Sequence, residues 1–414
     1  MALSFLQQPD TTKRLIPAYS DTIFVIGGGQ IAGNFRHKYV CLVLMNHLEN
    51  DANPYTTSGT VATLKVPANA DGNGVFNMNK ILQDNVATGV KGIKTTTHPN
   101  FSGFGSKFNG QLYDNEPHSI HQVDSYCGHR KLMRRVRFIF KEEFATTATG
   151  AVTTTGNLGS APYAVFNGVL QLEDGFEGFD YTQYVLSFTS RKFMTTQPST
   201  YTRKWRSSDF GVLSFLNGQF DSILSVGIGF NNIQIRNGVQ TGTSYYKVFA
   251  TNSVFSTKSE TITIQLTDED CKGLETIRLA YVNTLGTWDY FNFYKKSTRK
   301  TEINRSYYRS NYGDYTGSTY IQSSAEGGKR SFATNVEEVI EANTDYLTEE
   351  EVGFMKELFI SPQVYMQVGI GTSVQFVPVC VEEKEYIKQT TANDMLKQYV
   401  IEVRKGHKTR VQSI

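Results

Sequence analysis

The stretch HSIHQVDSYCGH, residues 118–129, gathers three of the chain's seven histidines with Asp124 and Cys127. Imidazole and thiolate together suit zinc, which takes four such donors in a tetrahedron. His118, His121, Cys127 and His129 are therefore the candidate ligands. Their spacing matches no ordinary finger pattern, and the competing reading is a polar loop whose histidines meet water or a partner chain. No resident metal is expected.

A second stretch, DTIFVIGGGQIAG at residues 21–33, imitates a dinucleotide fingerprint: Gly27, Gly29 and Ala32 fill the pattern, and Glu49 or Asp51 stands at the distance of the acid. The fingerprint needs a helix after its glycines to supply amides and a dipole for pyrophosphate. The chain continues instead into a β-branched and aromatic run from Tyr39 to Leu44, which favours a strand. A glycine turn between strands is expected, and no cofactor.

Motifs for catalysis are missing. The chain holds no G-x-S-x-G, no H-E-x-x-H and no P-loop. Pairs such as Glu142 and Glu143, or Glu382 and Glu383, read as solvated strand or loop positions. A non-enzymatic protein is expected, with the reservation that two glycan-cleaving carboxylates can come from distant strands and leave no local signature. Basic residues cluster at 130–137 and 295–300, near aromatics, as phosphate contacts would require. The formal net charge of only +2 supplies no general field for nucleic acid or an anionic membrane. Such strand faces are usually solvated or salt-bridged, and no nucleic-acid partner is expected.

The elements that position these residues are read from composition and period. With 27 Phe, 23 Tyr and 35 Gly in 414 residues, and few helical patterns, the chain reads as mainly β. Four widely spaced cysteines, Cys41, Cys127, Cys271 and Cys380, read as reduced, buried thiols of a protein folded in a cytoplasm. No signal peptide and no membrane span are seen.

Residues 1–19 read as an arm that needs a neighbour to become ordered. Strands come next at 39–44 and 60–68, then a short helix with Asn77 or Asn79 as cap and Met78, Ile81, Leu82 and Val86 on one side. In RRVRFIFKEEF, residues 134–144, Val136, Phe138 and Phe140 face one way. Residues 145–162 suit an exposed hairpin tip or loop. Strand-like runs recur after Gly218 at the spacing of a sandwich or barrel. Near the end Thr348 and Glu351 form a capping box, Val352, Met355, Leu358 and Phe359 line one face, and Ser361-Pro362 stops the helix. The expectation is two β-sandwich-like halves, 20–215 and 216–414, with one amphipathic helix at 349–360 in the C-terminal half.

Three stretches carry a resemblance: KVPANADGNGVFNMNKILQDNV at 65–86, LGTWDYFNFYKKSTRKTEINRSYYR at 285–309, and the closing module from TDYLTEEEVGFMKELFISPQVYM to LKQYVIEV. Together they cover about half the chain and resemble segments of virion structural proteins of tailed bacteriophages, especially tail and tail-tip proteins. The resemblance implies a β-rich, non-enzymatic structural subunit of the tail, neck or baseplate, or a fibre adaptor. Such a subunit is made in the host cytoplasm and assembled in the virion with copies of itself and other tail proteins, and with tail fibres in the adaptor case. The alternative is a receptor-binding or glycan-cleaving tail protein. Trp288, Tyr290, Phe291, Phe293 and Tyr294 place large groups on both faces of one strand, so that one face can fill a core and the other meet a partner. Trp288, Tyr290, Lys295, Lys296, Arg299 and Lys300 are the candidate partner contacts. The rival is that Phe354, Phe359 and neighbours cover both faces within the chain.

Overall fold

A computed structural model describes residues 2–45, 59–86, 126–129, 133–170, 180–185, 191–216, 223–230, 242–267, 273–369, 374–382 and 398–409, apart from residues 13, 30, 32, 252, 253 and 326. The protein is mainly β, with several sheets and a helix in its C-terminal half. It divides into two compact units: Met1–Thr267 with Val282–Asp289, and Asp268–Tyr281 with Tyr290–Ile414. The join expected near residue 215 falls inside a strand of the first unit.

In the first unit the strands are β1 (Ser4–Gln7), β2 (Leu15–Pro17), β3 (Ile23–Gly27), β4 (Phe35–Met45), β5 (Thr60–Pro67), β6 (Gly74–Asn77), β7 (Tyr126–His129), β8 (Met133–Ala145), β9 (Thr153–Gly159), β10 (Tyr163–Phe166), β11 (Arg203–Arg206), β12 (Val212–Leu216), β13 (Ile223–Gly227), β14 (Tyr245–Val248) and β15 (Ile262–Thr267). They form four sheets, ordered β1-β3-β6, β2-β10-β8-β4-β5 with β9 on β8, β11-β15-β14, and β12-β13-β7.

Phenylalanines joining the first two sheets explain why the alternating run at 134–144 had to be a strand. Phe24 of β3 lies 4.8 Å from Phe138 and 5.2 Å from Phe140 of β8, and Phe76 of β6 lies 5.3 Å from Phe140. All four rings are buried, each contributing about 2–3 kcal/mol of transfer free energy. Helix α1 (Asn79–Asn85) closes this core with Met78, Leu82 and Val86. The N-cap position is Met78, with no side-chain cap, in place of the expected Asn77 or Asn79; Asn77 accepts a hydrogen bond from the Asn79 N–H at 3.1 Å just before it.

The described residues of 2–19, expected to form an arm, pair within their own chain. β1 pairs antiparallel with β3, β2 pairs parallel with β10, and Phe5 packs edge-on against Phe140. Leu15 and Ile16 are buried, and an edge strand supplied from within satisfies the backbone that an arm would leave open.

The second unit is one seven-stranded sheet, with a small hairpin beyond it. Its strands are β16 (Ile277–Val282), β17 (Trp288–Phe293), β18 (Ser297–Ser310), β19 (Gly313–Tyr315), β20 (Tyr320–Gln322), β21 (Gly328–Asn343), β22 (Val364–Val368), β23 (Gln375–Val381) and β24 (Val400–Lys405). The sheet order is β17-β16-β22-β23-β24-β21-β18, and β19 pairs β20 separately. Helix α2 (Glu349–Ile360) carries the expected capping box: Thr348 Oγ1 accepts from the Glu351 N–H, and Glu351 accepts from the Thr348 N–H at 2.6 Å. Val352, Met355 and Leu358 are fully buried, and Phe354 meets Phe291 at 6.0 Å. Proline at 362 holds Ser361 extended and ends the helix.

Among the described residues, no helix is long and apolar enough to cross a membrane. Cys41 is buried, which pushes its thiol well above the ordinary range. Cys380, expected to be buried, is exposed: on β23 it alternates with Val379, which takes the inward position.

Candidate interaction surface

The glycine stretch is a turn. Gly28 and Gly29 hold φ of +84° and +91°, and β3 runs through them to a strand, β4, where a nucleotide-binding unit would place a helix. A Cβ on Gly28 would stand 2.4 Å from the Ala2 carbonyl oxygen, and one on Gly29 would stand 2.3 Å from Glu142 Oε2. The turn therefore packs against the start of the chain and a buried carboxylate. That carboxylate lies 3.3 Å from His37 Nε2 and accepts from Thr155 Oγ1.

Of the histidine cluster, His118 and His121 lie outside the described residues, as does Asp124. Cys127 and His129 fall in β7, at register positions opposite Ser225 and Ile223 of β13. No group of three or more His, Cys, Asp or Glu suited to a metal occurs among the described residues.

The segment LGTWDYFNF forms the turn before β17 and the whole of that strand. Its turn belongs to the first unit, where Asp289 is the centre of a buried polar tie. Asp289 accepts hydrogen bonds from Thr195 Oγ1, the Thr196 N–H at 2.9 Å, Thr196 Oγ1 at 3.0 Å and Asn283 Nδ2 at 2.8 Å. Asn283 Oδ1 in turn accepts from the N–H groups of Leu285 and Thr287. Gly286, at φ +75°, passes so close to Asn167 that a Cβ would stand 1.6 Å from its carbonyl oxygen. A carboxylate that accepts from four donors is fixed in place. Its role is to lock a turn.

Nearby in the same unit, burial raises the Glu260 carboxyl above the ordinary carboxylate range, against the pull of the Phe193 N–H it accepts at 2.8 Å. Tyr184 is pushed up to about 12 by burial and by Glu260.

All six residues of β17 are buried. Trp288 and Tyr290, offered as partner contacts, are therefore inside the protein; the covering of this strand from within the chain is the arrangement found. In the second unit Tyr290 lies under the guanidinium of Arg278, 4.7 Å from its ring centre, and Arg278 donates to Asn292 at 2.9 Å. Arg278 is fully buried on β16. Its sequence context, ETIRLAYVN, holds no signal of that fate, because burial of a charge depends on partners supplied from other strands.

The basic run 295–300 is committed to ion pairs within the second unit. Arg299 bonds Glu275 and Glu338, Lys300 lies 2.9 Å from Glu341, and Lys295 lies 3.3 Å from Asp345. Lys296 is exposed, and its carbonyl accepts from Asn343 Nδ2. Across the sheet Arg404 pairs with Glu302, Glu337 and Glu382, while Lys405 meets Glu338. The Arg299 hydrogen bond holds Glu275 below the usual carboxylate range; for Glu338, burial works the other way and is overcome by Lys405 and Arg299.

Beyond this charged base the structure presents a surface that the sequence pattern does not announce. β18 and β21 continue together to Ser310 and Gly328, while β24 covers β21 only at Val339–Asn343. The outer part, residues 303–335, is thus a two-stranded ribbon, and β18 as a whole reaches about 45 Å at the usual rise per residue. Tyr307 carries Lys329 over its ring at 4.0 Å, and Tyr308 meets Phe332 edge-on at 6.3 Å. Tyr308 and Tyr307 are adjacent, so these two clusters lie on opposite faces.

At the tip, Tyr315 and Tyr320 sit opposite one another in β19–β20, with Gly317 at φ +85° making the tight turn. Tyr312 and Tyr315 are 65% and 64% exposed. Large apolar side chains are thus held in water on both faces of the ribbon and at its tip.

The fold and this surface define a mainly β protein with an extended, aromatic β-arm. No protein-family model matches the chain, and no curated protein is significantly similar to it.

Proposed function

We propose that the chain is a non-enzymatic structural subunit of a tailed-phage tail assembly, at the baseplate, collar or a fibre-adaptor position, acting through protein–protein contacts. The observation that carries this reading is the aromatic β-arm: a ribbon of this length with rings on both faces and ion pairs at its root is built to be covered by a neighbour. The resemblance of residues 65–86, 285–309 and the closing module to tail proteins supports the same reading.

The test is immunogold labelling and peptide mass spectrometry of purified virions from the phage whose genome encodes the chain. The expected result is label at the tail and stoichiometric peptides. Absence from the virion would sink the reading. Binding of the isolated chain to host cells would favour the receptor-binding alternative.

A further inference from the structure

We propose that the arm, residues 303–335, docks onto the second unit of another copy of this chain. The inference goes beyond the tail reading and does not depend on it. Three observations carry it.

The first is concentration of apolar surface. Eight of the 21 large hydrophobic side chains exposed in the described residues belong to these 33 positions: Ile303, Tyr307, Tyr308 and Phe332 on the ribbon, and Tyr312, Tyr315, Tyr320 and Ile321 at the tip. With about 100 Å² of each in water, they offer on the order of 800 Å², one partner's share of a stable interface.

The second is that a two-stranded ribbon without a third layer is at best marginally stable in water. Outward of Glu338 the described residues add to the ribbon's own pairing the β19–β20 hairpin at its tip and the Val336–Thr409 bridge. A covering surface supplies what the ribbon lacks.

The third observation selects the occupant. Residues 303–335 hold four basic and two acidic side chains, whereas the rest of the second unit holds 14 basic and 18 acidic ones. Arg305 and Arg309 are exposed, while the basic residues at the root are already paired to glutamates. The basic arm is therefore complementary to the acidic body from which it grows, and the body it meets is that of a second copy. A contact between unlike patches is head-to-tail, and it generates rings or filaments according to its rotation.

The experiment is analytical ultracentrifugation of the full chain at about 10 and 100 µM, in low and high salt. Two variants accompany it: Tyr312→Ser with Tyr315→Ser and Tyr320→Ser, and a chain in which Arg305–Thr334 is replaced by Asn-Gly, the two-residue hairpin connection. The expected result is a salt-sensitive oligomer for the natural chain. Both variants should be monomers that still melt cooperatively, with the circular dichroism of the tyrosine variant unchanged. A natural chain that stays monomeric at both concentrations in low salt overturns the proposal, as does an oligomer that persists in both variants. Neither outcome touches the virion test, so failure here and failure of the tail reading are separate results.

Discussion

Strands β17 and β18 are separated by three residues, form the two edges of one sheet, and are both rich in aromatic or large side chains. Every residue of β17 is buried, and nearly every residue of β18 is exposed. Composition therefore does not decide which edge meets water. β17 is covered because long-range partners reach it: Phe354 of α2 and Arg278 of β16 in the second unit, and the Thr195–Thr196 segment at its start in the first. Among the described residues β18 has only β21 beside it, with an ion-pair network at its root.

The comparison is broken most strongly at Asp289. Asp289→Ala leaves the half-buried Thr196 N–H without its acceptor and the buried Asn283 amide with only the Met194 carbonyl at 3.3 Å, and should destabilise the first unit by about 4 kcal/mol, read as a fall in the urea midpoint of Trp fluorescence. Gly286→Ala should cost about 3 kcal/mol in the same measurement, since it combines positive φ with a backbone collision. If either change is tolerated within a few tenths, the tie is not what fixes the β16–β17 turn.

Acid separates the two regions by sign. Glu275 and Glu338 have depressed folded-state values, so their contribution is present above the ordinary carboxylate range and is lost as pH falls through those depressed values. Glu260 is raised, so its contribution is present below that range and is lost as pH rises through the raised value. Hydrogen exchange, corrected for intrinsic rates, should show the root peptides 297–302 and 336–343 loosening as pH falls below about 4.5, while 191–197 does not.

Smaller effects are expected on the exposed edge. Arg299→Ala removes contacts to two glutamates at a partly solvated site and should cost about 1 kcal/mol, seen as faster exchange at the arm's root. Tyr312→Ser should change stability by about 0.5 kcal/mol or less while lowering self-association. A large loss of stability from it would place the ring in a core rather than at a contact surface.

Much of the fold was legible. Val136, Phe138 and Phe140 alternate because one face of β8 is buried, and Thr348 and Glu351 satisfy one another locally, so both elements carry their signal in a few consecutive residues. The arm was not legible. A strand wet on both faces need not alternate, and TEINRSYYRS against GKRSFATNVEEV has no period to read. Nor did the sequence distinguish the basic run at 295–300 as a root of ion pairs, because Glu275, Glu338 and Glu341 come from elsewhere in the chain.

What the sequence determined by itself was the β-rich character, the glycine turn at 27–29 and the two helices, each set by propensity, period or caps acting over short range. The tertiary structure decided which aromatic residues are core and which are surface. That choice depends on whether a distant strand or helix arrives to cover a given face, and nothing in the ten residues around Trp288 or Tyr307 contains that information.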